Sequence, residues 1–159
     1  MRKLYIAYGS NMDEKQMARR CPTARLLGTS ELEGYRLLFK GSKTGVYATI
    51  EVQKGGRVPV LIWEIGEQDE RNLDRYEGYP VFYHKKEIKV QLGGERKKAM
   101  VYVMDETRGL GEPSARYYNV LENAYWKFGF PMGILLEAHE ASRSAVGWRE
   151  KKCHGLYYG

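Results

Sequence analysis

The chain opens on an alternation: Leu4, Ile6 and Tyr8 interleave with Tyr5 and Ala7, with no breaker until Gly9. A period of two predicts a short strand from Lys3 to Tyr8. Gly9 and Ser10 then turn the chain, and Asp13 to Arg20 reads as a helix that Cys21-Pro22 ends. Asn11 is placed to cap that helix, with Glu14 at the third helical position, where a capping box wants its acid. Asp13 and Glu14 put negative charge on the first turn, as the helix dipole favours. A strand, a glycine turn and a helix start leave several backbone N–H groups unpaired and pointing one way. Such a turn can hold a carboxylate or a developing oxyanion.

From Arg25 to Ile65 the pattern is strand-like. Arg25 to Gly28 forms a short strand, and Leu32 to Lys40 a longer one that is apolar on both faces in its second half. Gly41 to Gly45 is a loop. Tyr47 to Gln53 and Arg57 to Ile65 flank Lys54-Gly55-Gly56, which predicts a hairpin. Pro59 inside the second of these strands predicts an edge or a bulge. Glu67 to Tyr76 is rich in helix formers, with Gly78 in the left-handed cap position and Pro80 two residues on. Val81 to Leu92 and Lys97 to Met104 flank Gly93-Gly94 as another hairpin, and Thr107 to Glu112 is a loop. Ser114 caps a helix in which Val120, Leu121, Ala124 and Phe128 recur at helical spacing. Gly129-Phe130-Pro131 ends it and starts a last helix through about Ser142.

These elements amount to about six strands and roughly three or four helices, an α+β pattern. With 159 residues, 43% hydrophobic and 29% charged, the chain can bury one core of its own. We read one domain over 1–145 and a C-terminal tail over 146–159 that carries Trp148, Tyr157 and Tyr158. No stretch approaches the roughly 20 apolar residues of a membrane span. The apolar run after Arg2-Lys3 is too short for a signal peptide. Cys21 and Cys153 show no framework spacing, so a reduced cytoplasmic setting is the simplest expectation. The formal net charge of +6 is scattered over turns and helix ends, as on a solvated surface. It suits weak attraction of an anionic small molecule better than a nucleic-acid footprint, for which no aromatic-basic motif is present.

One carboxylate stands out. Leu73 and Glu77 are four apart on the predicted helix and share a face, so a core-facing Leu73 turns Glu77 inward. Glu77 also sits at the helix C-terminus, where the dipole disfavours an anion. Burial and dipole both push its pKa upward, as proton transfer near neutral pH requires. The bland alternative is a Glu77 turned to solvent or paired with Arg71 or Arg75. The remaining chemistries are weaker. His84, His139 and His154 make no metal-ligand pair at helical spacing. Ser10 follows a strand, as in a nucleophile elbow, but lacks the Gly-x-Ser-x-Gly surround.

Tyr8-Gly9-Ser10-Asn11-Met12, followed at a distance by Leu73-Asp74-x-x-Glu77-Gly78, resembles the gamma-glutamylcyclotransferase-like family, which includes AIG2-like and gamma-glutamylamine cyclotransferase relatives. Leu32 to Phe39, Ala48-Thr49-Ile50, Val60 to Trp63, Pro113-Ser114-x-x-Tyr117 and Gly129-Phe130-Pro131 match its pattern in the same order. Met12 stands where many members have Leu, a volume-conserving change. The resemblance implies that the sheet rolls into a barrel with helices packed outside. It implies a cyclotransferase acting on a gamma-glutamyl amide, with Glu77 as general acid/base. The backbone amides of Gly9, Ser10, Asn11 and Met12 would bind substrate, and Tyr8, Tyr83 and Tyr117 would donate hydrogen bonds in the pocket. No cofactor and no metal are implied. The expected partner is a gamma-glutamyl small molecule, with no nucleic acid and no membrane, and a homodimer is left open. A binding protein that keeps the pocket without turnover is the alternative. Glutathione fragments, gamma-glutamyl amino acids, a gamma-glutamyl-lysine crosslink and a biosynthetic intermediate all remain open as sources of the leaving amine.

Overall fold

The computed structural model describes the backbone of residues 1–42 and 44–157 and the side chains of 1–42 and 44–145. Six strands form one mixed sheet: β1 (Lys3–Ala7), β2 (Arg25–Ser42), β3 (Gly45–Ile65), β4 (Tyr83–Leu92), β5 (Glu95–Met104) and β6 (Gly109–Leu110). Their order is β4-β5-β1-β3-β2-β6, with β1 parallel to β5 and the other pairs antiparallel. The four helices are α1 (Glu14–Arg20), α2 (Glu67–Glu77), α3 (Ala115–Phe128) and α4 (Met132–Tyr157). The expected barrel is realised as a half-barrel. Its curl brings β2 back beside β4, where Ser30 Oγ donates to Gln91 O at 2.5 Å.

The longest feature corrects the sequence reading. The two segments expected on either side of Lys54-Gly55-Gly56 are one strand, β3, paired along its length with β2. The chain reverses instead at the Ser42↔Gly45 pair. Between Glu33↔Arg57 and Tyr35↔Val52 the register shifts, so Lys54-Gly55-Gly56 is a bulge and not a turn. Gly55 has φ +80°, and a Cβ on Gly56 would meet Tyr35 O at 2.2 Å, so both glycines are required by the bulge itself. Arg25 to Gly28 and Leu32 to Lys40 likewise merge into the single strand β2. Pro59 lies beyond the last pair of β1 with β3, Ala7↔Leu61, so its missing N–H removes no ladder bond to β1.

The helix caps follow local chemistry. Gly78 and Gly129 take left-handed conformations at φ 65° and φ 67°, and Ser114 Oγ accepts from Tyr117 N. Asp13, not Asn11, caps α1 by accepting from Lys15 N and Gln16 N. A single 3-10 turn over Ser10–Met12 displaces the helix start and frees Asn11 for another task. The last helix, expected to end about Ser142, continues to Tyr157. The side chains of the expected tail, 146–159, lie outside the described residues. Among the described residues, no helix is long and apolar enough to cross a membrane. The core includes Ile6, Phe39, Leu61, Ile62, Ile65, Leu73, Met104, Leu121 and Tyr125, all fully buried and drawn from both faces of the sheet and from the helices. Full burial of a side chain of this size contributes ~1.5–3 kcal/mol, and Leu73 fixes the rotation of α2 in this way.

Candidate active site

The end of β1, the 3-10 turn and the C-terminus of α2 meet over one cavity of about 280 Å³. Its lining includes Tyr8, Gly9, Ser10, Asn11, Glu77, Tyr83 and Tyr117, so seven of the eight candidates come together from four separate parts of the chain. Met12 is the exception. It is buried in the core beneath the turn, and its N–H is closed onto Gly9 O at 3.0 Å. A residue in that position braces the turn and offers the cavity nothing. The N–H groups of Gly9, Ser10 and Asn11 have no hydrogen-bond partner among the described residues. These are the unpaired donors that a strand, a glycine and a short helical turn leave behind.

Glu77 faces this turn. Leu73 packs into the core one helical turn earlier, and the shared face carries Glu77 inward. Asn11 Nδ2 donates to Glu77 Oε1 at 3.4 Å and to Tyr5 OH at 2.8 Å. Burial pushes the Glu77 carboxyl up to about 7, against the opposing pull of the Arg20 cation. No ion pair forms between Glu77 and Arg71 or Arg75. A carboxyl that changes charge near pH 7, beside a row of unpaired amides, can accept and return a proton.

The tyrosines divide into two kinds. Tyr8 OH donates to Tyr102 O at 2.6 Å, and Tyr83 OH donates to Ala48 O at 2.7 Å. Their protons are engaged by the main chain, so they wall the cavity instead of donating into it. Tyr117 OH accepts from Ala48 N at 3.1 Å, and Tyr5 OH accepts from Asn11. The hydroxyl protons of Tyr117 and Tyr5 therefore remain for a ligand. Burial raises all four phenols well above their ordinary range, so they stay protonated at neutral pH. Gly9 has a packing reason to be glycine, because a Cβ there would lie 3.0 Å from Tyr117 OH.

Sequence reasoning passes over Tyr5, Tyr102 and Arg20. Tyr5 sits in the signature strand itself, and its place beside Asn11 follows once Asn11 is released from capping. Arg20 carries no local signal: it reaches Ser10 Oγ at 3.2 Å and also donates to the hydroxyl of Tyr76, which lies in another helix. Ser10 Oγ, bonded to a cation and with no histidine beside it, is not an activated nucleophile. Cys21 is a buried free thiol pushed up to about 12 by burial, and it lies outside the cavity lining.

Fold and site together define an α+β half-barrel domain with a small-molecule-sized cavity in which Glu77 is the one carboxyl group among the described lining residues. The chain belongs to the gamma-glutamyl cyclotransferase, AIG2-like family, whose model matches residues 5–128. It is similar to a solved gamma-glutamyl cyclotransferase at 25% identity and TM-score 0.77, covering 87% of this chain and 86% of that one. It is also similar to an uncharacterized protein from Homo sapiens at 26% identity and TM-score 0.76, covering 86% of each chain. YkqA from Bacillus subtilis shares the fold at 19% identity and TM-score 0.74, over 90% of this chain and 55% of that one. A search of curated protein sequences finds no match. Family and fold point to gamma-glutamyl cyclotransferase-like activity.

Proposed function

We propose that the protein releases 5-oxoproline and a free amine from a gamma-glutamyl amide, with Glu77 carrying the proton. The observation that supports this reading is the Glu77 carboxyl, raised to about 7 and set against the unpaired amides of Ser10 and Asn11. The substrate's alpha-amine attacks its own gamma-carbonyl carbon and closes a five-membered ring. The Glu77 carboxylate takes the proton from the attacking nitrogen. The carbon–nitrogen bond to the leaving amine then breaks as Glu77 returns that proton to the leaving nitrogen. Amine and carbonyl share one molecule, so ring closure calls on no enzyme nucleophile and no co-reactant.

Holding the bent conformer is the larger task, and correct placement can contribute on the order of 7–11 kcal/mol. The amides of Ser10 and Asn11 with the Tyr117 hydroxyl, which line the cavity, would hold the substrate carboxylate or the oxyanion. Tyr8 and Tyr83 supply rigid walls. A panel of gamma-glutamyl amines assayed for 5-oxoproline release tests the reading. Glu77→Gln keeps the shape and loses the base, so turnover falls by ~10²–10⁴ while binding survives. A substrate acetylated on its alpha-amine is inert. Binding across the panel without 5-oxoproline release would mark a binding protein instead. Cleavage of the acetylated substrate would mean hydrolysis.

A further inference from the structure

Arg20 ends α1, yet its side chain ties three parts of the chain together. One terminal nitrogen donates to Ser10 Oγ and Asn11 Oδ1 in the turn. The other donates to Gln16 Oε1 on its own helix and to Tyr76 OH on α2. The guanidinium also lies 3.5 Å from the centroid of the Tyr76 ring. Its main chain is held too, since Asn72 Nδ2 donates to Arg20 O at 3.0 Å. All four acceptors are neutral, and no carboxylate pairs with Arg20 among the described residues. The cation is thus in no ion pair among the described residues, and Tyr76 on α2 immediately precedes Glu77.

This arrangement decides the orientation of Asn11. An amide side chain has an oxygen end that accepts and a nitrogen end that donates, and the two ends have nearly the same shape. A guanidinium can only donate, so the end of Asn11 that meets Arg20 must be oxygen. The nitrogen is then directed at Tyr5 OH, 2.8 Å away, and at Glu77 Oε1, 3.4 Å away. Were the amide reversed, its oxygen would face the Glu77 carboxylate, and a half-buried anion would meet a second acceptor. Asn11 is itself buried, with its main-chain carbonyl oxygen accepting from Trp63 Nε1 at 3.1 Å, so only the side-chain amide rotation is left to choose.

We propose that Arg20 is a positioning residue: it fixes the Asn11 amide with its nitrogen toward Glu77 and so keeps the Glu77 carboxylate available in its ionised, proton-accepting form. The proposal rests on Glu77 being the proton carrier of the reaction above. It leaves Arg20 outside the reacting atoms, acting through Asn11 and through its charge. The other groups facing Glu77 are Tyr5 from β1, Tyr8 from the turn, Tyr83 from β4 and Tyr117 from α3. All four are neutral phenols near pH 7, so Arg20 is the one charged group among the described residues that opposes the effect of burial on Glu77.

The test uses Arg20→Met and Arg20→Lys in the full chain. The midpoint of Glu77 is read directly by carboxyl-carbon NMR, and the pH profile of 5-oxoproline release is measured alongside. The Arg20 cation pulls the Glu77 carboxyl down, and a nearby opposite charge is worth ~1–3 pH units, so Arg20→Met raises the Glu77 midpoint by ~1 unit or more. The rate at pH 7 then falls by about fivefold or more and recovers near pH 9. Arg20→Lys restores the charge and a donor for Asn11, and it returns the midpoint most of the way. A merely structural Arg20 gives a different result: lower thermal stability and a lower rate at every pH, with the Glu77 midpoint unmoved. That outcome overturns the proposal. If Arg20→Met does not fold, a Glu77 midpoint in Arg20→Lys displaced downward from wild type overturns it equally. The NMR titration needs no substrate. A shifted midpoint with no 5-oxoproline release from wild type would uphold the role of Arg20 and sink the cyclotransferase reading.

Discussion

Glu77→Gln makes the protein more stable above neutral pH. The folded carboxyl titrates at about 7, against an ordinary value of 4.5. The folded state therefore holds this proton more tightly than the unfolded state does. The stability that results is full below pH 4.5 and is lost progressively as pH rises from there through 7, because the unfolded chain gives up the proton while the folded protein still holds it. Each tenfold change in proton affinity is worth roughly 1.4 kcal/mol, so the loss approaches about 3 kcal/mol by pH 8.5. Glutamine is neutral at every pH and escapes it. The variant and the wild type are of similar stability at pH 4.5, and the variant is ahead by about 3 kcal/mol at pH 8.5. For a chain of this length that is ~6–12 °C in melting temperature. Urea titrations of both proteins at the two pH values measure the difference of differences. A gap that stays constant with pH would refute the argument, since it would mean that Glu77 titrates as an ordinary surface carboxyl.

Two further substitutions probe other parts of the structure. Ser10→Ala removes one acceptor of Arg20 and leaves the turn amides in place, so activity weakens without vanishing; mass spectrometry after trapping finds no acyl adduct in the wild type, and an acyl-Ser10 species would overturn the intramolecular mechanism. Gly56→Ala drives a Cβ against Tyr35 O and destabilises by ~1–3 kcal/mol in urea unfolding; tolerance of this change would mean that Lys54-Gly55-Gly56 behaves as an open loop.

What the sequence discloses is what local chemistry decides. Gly78, Gly129 and Ser114 mark their helix ends because a left-handed glycine and a capping hydroxyl act within one turn of chain. The inward face of Glu77 is legible for the same reason, since Leu73 lies one helical turn away. Lys54-Gly55-Gly56 is misleading because paired glycines suit a turn and a bulge equally, and only the pairing of β3 with β2 over many residues chooses between them. Asn11 is misleading in a different way. It is a good capping residue in a capping position, but Asp13 is another, and the intervening 3-10 turn hands the task to Asp13. No proline or glycine follows Ser142 at once, so nothing local stops α4 there. The link from Arg20 to Tyr76 spans 56 residues and exists only once α1 and α2 are packed together.

Tyr8, Tyr83 and Tyr117 are each held through their hydroxyls by main-chain atoms, at Tyr102 O, Ala48 O and Ala48 N. A main-chain donor or acceptor is present whatever side chain the position carries. Ala48 lines the cavity while its backbone anchors two of the three rings. The side chain at 48 can therefore change, and with it the room left in the cavity, without letting go of either tyrosine. Anchoring and cavity size are thus set by different atoms of one residue: the Ala48 backbone holds the rings, and its side chain sets the space beside them.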